Sequence, residues 1–317
     1  MPLQALYDLP APAKLNRFLH VVGRRADGYH LLQSVFVLID WADRLHLERR
    51  DDGRLIRHDL GPALPADDLC LRAARALQTA SGCGLGVDIS IEKNLPWGAG
   101  LGGGSSDAAT TLLALNRLWG LHWPRARLAQ VGLALGADVP FFIGGRNAFV
   151  EGIGERLLPM RMPPTRYAVA KPPTAIATRE IFEHPLLVRD TGTVIITGSL
   201  DNTGSIGWPV DWAADFGKND LQPAAQDRCP DVAQAAAWLK SRYGNSRMTG
   251  SGSAVFATVV KSDFERDCKR DCEKDRKQDS TAATPMATGP LDELPAGWVG
   301  RMCWGLDVHP LVDWAAD

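Results

Sequence analysis

The sequence predicts a two-domain α+β protein, on three observations. At about 150 residues per domain, a chain of 317 residues makes two units, each large enough to bury a core. Strand-like alternation fills residues 11 to 50, and helical periodicity follows between 69 and 135. From about residue 160 the chain grows richer in proline and turns, through Met160-Arg-Met-Pro-Pro164 and Lys171-Pro-Pro173. The boundary is therefore set there, giving an N-terminal domain over 1–160 and a C-terminal domain over 161–317.

Taken in order, Ala13 to Val22 alternates, with Lys14, Asn16, Phe18 and His20 on one face and Leu15, Arg17, Leu19 and Val21 on the other. Neither face is purely apolar, which is unusual for a structural strand. A turn follows at Arg24-Arg-Ala-Asp-Gly28, and Leu31 to Asp40 and Arg44 to Glu48 then read as a hairpin. Leu69 to Ala80 reads as a helix ended by Ser81-Gly82, and Val87 to Glu92 as a strand. Ser105 to Trp119 is helical and stopped by Gly120; Pro124 to Leu135 is a further helix, with proline in its first turn and Gly136 past its end. The second half mixes short strands (Tyr167 to Ala170, Val255 to Val260) with a helix around Val232 to Tyr243. Between Lys261 and Ser280, 14 of 20 residues are charged, and pairs such as Glu265/Lys269 and Glu273/Lys277 suit a solvated helix. Ser280 to Gly297 reads as a linker, so 261–297 is expected to be a surface insertion.

Composition excludes several classes of function. Apolar residues at 45% and charged residues at 23% are ordinary globular usage. With 35 Lys+Arg against 37 Asp+Glu, the net charge of -2 gives no electrostatic case for nucleic acid. The apolar runs are too short to cross a bilayer, and the N-terminus lacks a basic segment followed by an apolar stretch. The six cysteines are scattered, unlike a secreted disulfide framework, and Cys268 and Cys272 have no second pair to complete a zinc site. The expectation is a cytoplasmic protein with no membrane, nucleic-acid or obligate protein partner.

The strongest chemical signal is Leu95-Pro-Trp-Gly-Ala-Gly-Leu-Gly-Gly-Gly-Ser-Ser106, between a predicted strand and a predicted helix. Five glycines in seven positions let the backbone take positive φ and approach a ligand closely. Consecutive N–H groups there form an anion nest, and Ser105, Ser106 and the helix start add hydroxyls and the positive end of a dipole. That combination suits a polyphosphate; the bland alternative is a flexible turn. No Walker A run exists. Gly98, Gly100 and Gly103 satisfy the dinucleotide spacing, but no acidic residue follows about 20 positions later to hold a ribose. Two further patches carry chemistry. In Pro12-Ala-Lys-Leu-Asn-Arg-Phe-Leu19, Lys14 and Asn16 share a strand face roughly 6.5–7 Å apart. In Gly136-Ala-Asp-Val-Pro-Phe-Phe-Ile143, Asp138 lies past a helix end among apolar neighbours, as a cap or as a functional acid in a dry pocket.

With a third glycine-rich stretch, Arg247-Met-Thr-Gly-Ser-Gly-Ser-Ala-Val-Phe256, these patches resemble the GHMP small-molecule kinases. Pro12-Ala-Lys14, Pro96 to Ser106 and Thr249-Gly-Ser-Gly252 stand in the family's order. Ala13-Lys-Leu-Asn16, Asp27-Gly-Tyr-His30, Gly102-Gly-Gly-Ser-Ser-Asp-Ala-Ala109, Gly136 to Phe142 and Phe216 to Leu221 narrow the match to one member. The resemblance spans most of residues 11 to 260. It implies an N-terminal domain of the ribosomal-S5 type and a ferredoxin-like C-terminal domain, with the site between them. It also implies transfer of the γ-phosphoryl of ATP, with Mg²⁺, to the tertiary C2 hydroxyl of cytidine-diphosphate methylerythritol in the non-mevalonate isoprenoid pathway.

By that resemblance Asp138 is the acid/base and Lys14 its neighbouring cation. ATP lies on Pro96, Gly98, Ala99, Gly100, Leu101, Gly102, Gly103, Gly104, Ser105 and Ser106, with Lys93 near the nucleotide and Ser106 as metal ligand. Tyr29 and Phe182 match aromatics that sandwich the cytosine, His30 the residue that reads the base edge, and Asn16 and Thr178 polar contacts; Gly250, Ser251 and Gly252 complete the substrate side. Phe182 as core and His30 as a strand-start residue are the bland alternatives. Asp68 departs from the asparagine often found near the adenine, and Trp97 is bulky for the loop. The rivals are a homoserine- or mevalonate-type kinase of the same superfamily and a non-catalytic nucleotide sensor.

Overall fold

A computed structural model describes residues 3–196, 199–209, 212, 216–259, 291 and 293–317. Its frame is one long antiparallel hairpin, β1 (Ala5–Arg24) against β2 (His30–Arg50), paired from Ala5↔Glu48 to Arg24↔His30. The hairpin expected inside residues 31–48 does not form, because Leu31–Asp40 and Arg44–Glu48 belong to this single strand. Asp40-Trp41-Ala42-Asp43 holds no glycine or proline to reverse the chain. The local irregularity is absorbed as a register shift opposite Pro12/Ala13.

The far half of β2 pairs with β4 (Gly86–Glu92), which runs parallel to β3 (Leu55–Asp59). The near half pairs with β5 (Ala148–Gly152), and β5 with β6 (Arg156–Arg161). The chain then founds a second sheet with β7 (Arg166–Lys171) before returning to the edge of the first as β8 (Ile206–Gly207). The second sheet is completed by β9 (Arg247–Met248), β10 (Val255–Val259) and β11 (Val299–Trp304), in the order β11-β7-β10-β9, antiparallel throughout.

The helices fall where periodicity and caps put them. Asp68 caps α1 (Leu69–Ser81) by accepting from Leu71 N at 3.0 Å, and Gly82 ends it in the left-handed conformation. α2 (Gly103–Leu118) and α3 (Arg125–Leu133) follow the expected limits closely. α4 (Val139–Gly144) was not foreseen: every residue from Val139 to Ile143 is buried, so no polar face gives the helix a period. α5 (Thr178–Phe182), α6 (Gln222–Arg228) and α7 (Pro230–Tyr243) belong to the second half.

Alternation along the strands explains the layering. Phe36 and Leu38 of β2 join α1, α2 and α4 in one core, while Val35, Val37 and Ile39 face the other way. On β7, Tyr167 and Val169 meet that second set, whereas Ala168 and Ala170 pack under α6 and α7. Each sheet thus carries helices outside and shares a middle core with the other. Both faces of residues 13–21 are buried, so the mixed polarity read on each face places Lys14, Asn16, Arg17 and His20 inside the protein. The charged stretch 261–280, with Cys268 and Cys272, and residues 281–290 lie outside the described residues. No helix among the described residues is long and apolar enough to cross a membrane.

Candidate active site

The loop between β4 and α2 is built on alternating left-handed glycines, with φ of 58° at Gly98, 74° at Gly100 and 72° at Gly102. Such alternation turns successive N–H groups toward one concavity. Gly102 caps α2 without any side-chain hydrogen bond, leaving the first-turn amides to an anion. A cavity of about 420 Å³ lies over this loop, lined by Lys93, Pro96, Gly98, Ala99, Gly100, Leu101, Gly102, Gly103, Gly104 and Ser105. Asp68 borders the same cavity while capping α1 and pairing with Arg57 at 3.2 Å, and Trp97 is 55% exposed on its lining.

The loop is anchored from below by a residue the sequence did not reveal. Asp43 is fully buried in β2; its Oδ1 accepts from Asn94 N at 2.6 Å and Leu95 N at 2.7 Å, and its Oδ2 contacts Lys93. Lys93 Nζ also meets Asp107 Oδ2 at 2.5 Å. Burial drives the Asp107 carboxyl well above the usual carboxylate range, with Lys93 opposing and Asp43 reinforcing the shift. For Lys93 burial works against the charge, but the two carboxylates outweigh it and hold the ammonium above its ordinary value. Lys93 therefore lines the cavity and is committed to Asp43 and Asp107 as the floor of the loop.

A larger cavity of about 1070 Å³ adjoins the first. Its lining includes Lys14, Asn16, Tyr29, His30, Asp138, Thr178, Phe182, Gly250 and Ser251, and Gly100 and Gly102 border both cavities. Lys14 Nζ stands 3.4 Å from Asp138 Oδ2, donates to Asn16 Oδ1 at 2.6 Å and lies 4.3 Å over the Phe36 ring. Asp138 precedes α4 but makes no capping hydrogen bond, so its carboxylate is not spent on the helix. The third glycine motif closes the arrangement by docking on the phosphate loop, with Ser253 N on Gly98 O and Ala254 N on Ala99 O, both at 3.1 Å.

Four expected site residues have other work. Ser106 is fully buried and donates its hydroxyl to Pro12 O at 2.7 Å, tying α2 to β1; it is not placed as a metal ligand, and Ser105 is the hydroxyl on the cavity. Asn16, 1% exposed, accepts from Lys14 and from Gly250 N at 2.9 Å and donates to Ser34 Oγ at 2.9 Å. It aligns Lys14 with the third motif while also lining the larger cavity. Gly252 lies behind the cavity wall, where an added Cβ would press on Met248. Phe182 stacks on His30 at 5.0 Å and 28°, and Tyr29, 61% exposed, lines the same cavity. Thr178 and Ser251 share a hydroxyl hydrogen bond of 2.8 Å on the cavity.

Asp43, Asp107, Thr249 and Asn219 were missed as site builders. Thr249 Oγ1 accepts from Asn16 N at 3.0 Å, and Asn219 Nδ2 donates to Met248 O and Gly250 O at 2.8 and 2.9 Å. The only signal was an acidic residue between two strand-like runs for Asp43, and membership of quoted motifs for the others.

Known proteins resemble this chain along its whole length. The family described as GHMP kinases N terminal domain matches residues 68–146, and that described as GHMP kinases C terminal matches residues 199–274. A 4-diphosphocytidyl-2-C-methyl-D-erythritol kinase of Methylibium petroleiphilum is 61% identical over 316 residues, covering 99% of this chain and 100% of its own. The protein of that name from Variovorax paradoxus is 52% identical over 318 residues, covering 99% and 100%. A crystal structure of 4-(cytidine 5'-diphospho)-2C-methyl-D-erythritol kinase superposes with a TM-score of 0.68 at 30% identity, over 94% of this chain and 100% of that one. Homoserine kinase from Cytophaga hutchinsonii, at 14% identity and a TM-score of 0.61 over 96% of each chain, shares the fold.

Proposed function

This chain belongs to the GHMP kinase family and, within it, to the 4-diphosphocytidyl-2-C-methyl-D-erythritol kinases, and from that premise we propose how its two cavities perform the reaction. It is an ATP-dependent small-molecule kinase that phosphorylates the C2 hydroxyl of 4-diphosphocytidyl-2-C-methyl-D-erythritol in the non-mevalonate isoprenoid pathway. The observation that carries the mechanism is the shared wall. Gly100 and Gly102 border both cavities, so a γ-phosphoryl on the loop amides lies within reach of an alcohol beside Lys14 and Asp138.

In the transfer, the C2 oxygen bonds to the γ-phosphorus, the bond to the β-phosphate oxygen of ADP breaks, and the hydroxyl proton passes to Asp138. A tertiary alcohol is a weak nucleophile, so a carboxylate that orients it and accepts the proton contributes directly. Lys14, beside that carboxylate, faces the transferring charge. Loose phosphoryl-transfer transition states gain most from positioning and electrostatics, which suits a preset pair 3.4 Å apart. Mg²⁺, when bound, would neutralise β- and γ-phosphate charge, and the Ser105 hydroxyl on the first cavity would help hold it. Among the described residues no cluster of His, Cys, Asp and Glu competes for that role. Tyr29, His30, Thr178, Phe182 and Ser251 form the side that takes the cytidine end. The free thiols at Cys70, Cys83, Cys229 and Cys303 suit the cytoplasm.

The test is ADP release from the full chain with Mg-ATP, comparing cytidine-diphosphate methylerythritol with homoserine and mevalonate. Release with the cytidylated alcohol alone is the expected outcome. Release with another alcohol would keep the phosphate loop and overturn the cytidine side; ATP binding with no release would turn the protein into a nucleotide sensor.

A further inference from the structure

Arg189 stands at the junction of two segments that line the larger cavity, and nothing in the sequence points to it. Its guanidinium makes four hydrogen bonds. Nε donates to Nε2 of His30 at 3.2 Å, Nη1 to Leu187 O at 3.0 Å, and Nη2 to Phe182 O and His184 O at 3.1 and 3.2 Å. The carbonyl of Phe182 is the last of α5 and would otherwise be left without a helical partner. One planar group therefore ties the turn that carries Tyr29 and His30 to the helix that carries Thr178 and Phe182.

The direction of the first bond has a chemical consequence. A guanidinium has five N–H donors and no acceptor, so Nε2 of His30 must accept and carries no proton. Burial holds the His30 ring below its ordinary pKa, with the cations Arg189 and Arg24 adding to the effect, so the imidazole is neutral. A neutral ring with bare Nε2 has its proton on Nδ1. The stack of His30 on Phe182, at 5.0 Å, then fixes the ring plane against the same helix that Arg189 holds.

We infer that Arg189 is a positioning residue of the cytidine-binding side: it clamps α5 to the β1–β2 turn and sets His30 to the tautomer whose single N–H donor is Nδ1. The inference rests on the reading that this cavity takes a cytidylated alcohol, and it deepens it. A donor at His30 matches the O2 and N3 acceptors of a cytosine, not its exocyclic amine, so Arg189, itself on the cavity lining, helps choose the base through His30. Lysine cannot replace it, because a point charge cannot bridge a ring nitrogen and three carbonyls at once.

The experiment uses the full chain labelled with ¹⁵N-histidine, first without any ligand, with His30→Gln assigning the ring signals. Wild-type His30 is expected to show a protonated Nδ1 and a bare Nε2, and Arg189→Met to lose that pattern. In kinetics with Mg-ATP, Arg189→Met is expected to raise KM for cytidine-diphosphate methylerythritol about tenfold, with kcat and KM for ATP within about twofold of wild type. Arg189→Lys should resemble the methionine variant. A protonated Nε2 in the wild-type ring overturns the inference, as does a wild-type KM in Arg189→Met. An equal loss in kcat and in both KM values also overturns it, by reducing Arg189 to general packing. Failure of wild type to phosphorylate the cytidylated alcohol would instead remove the functional reading, and the ring tautomer, measured without substrate, would still decide the role of Arg189.

Discussion

Lys14 reaches Asp138 because the lysine is fixed on three sides before any substrate arrives. Asn16 accepts from its ammonium, the Phe36 ring lies beneath it, and only 5% of its side chain is exposed. An ordinary strand lysine would spend its rotamer freedom in water; this one loses it on folding, so the ion pair is preorganised. Asp138 is held by the chain rather than by hydrogen bonds, one residue ahead of a helix whose side chains are buried. Asp138→Ala is therefore expected to lower kcat by about 10²–10⁴-fold while the ATP affinity of the loop persists. Steady-state kinetics paired with nucleotide titration would check this, and near-wild-type turnover would remove Asp138 from the mechanism.

At the scale of elements, the site depends on two glycine-rich segments meeting backbone to backbone. Gly100 sits at φ 74° with the Thr249 carbonyl so close that any Cβ there would overlap it, and a Cβ on Gly250 would come within 2.9 Å of Gly100 O. These positions are closed to larger residues from both sides, whatever the loop binds. Gly100→Ala is expected to cost about 2 kcal/mol or more in stability and to weaken ATP binding, since the loop must move off its partner. Denaturant unfolding and nucleotide titration of that variant would test the pairing; wild-type stability would mean the two segments separate freely.

For the whole molecule, the C-terminal tail crosses back onto the first core. Arg125 donates to Ile143 O at 2.7 Å, Val312 O at 2.6 Å and Ala315 O at 2.8 Å, and His309 N donates to Gly145 O at 2.8 Å. The His309 ring is fully buried: Nδ1 accepts from Leu311 N at 3.0 Å, and Nε2 has no partner among the described residues. Burial, with Arg125 nearby, lowers its pKa to about 4. The unfolded chain, with an ordinary histidine, binds the proton first as pH falls. Stability is thus fully present above about pH 6.5 and is lost between there and about pH 4, by about 3 kcal/mol in all. His309→Gln, which cannot titrate, is expected to flatten that acid limb; equal losses for both proteins between pH 7 and pH 5 would dismiss this histidine as the cause.

The local chemistry of this chain is legible in its residues alone. The run from Gly98 to Gly104 could be read as an anion nest because glycine density is a backbone property, visible without knowing what lies opposite. Helix limits at Gly82 and Pro124 were legible for the same reason, since caps and breakers act on their own neighbours. Residues whose partners are remote in the chain take their roles from the fold instead. The gap between the strand-like runs ending at Asp40 and starting at Arg44 reads as a turn, yet Asp43 is buried beneath a loop about 50 residues away. Asn16 and Ser106 carried the right motifs, but their polar groups are consumed across β1, α2 and the third glycine motif, and Arg189 had no motif at all. A short local pattern reports propensity; whether a polar side chain faces a ligand or satisfies a buried backbone depends on which distant segments the fold brings beside it.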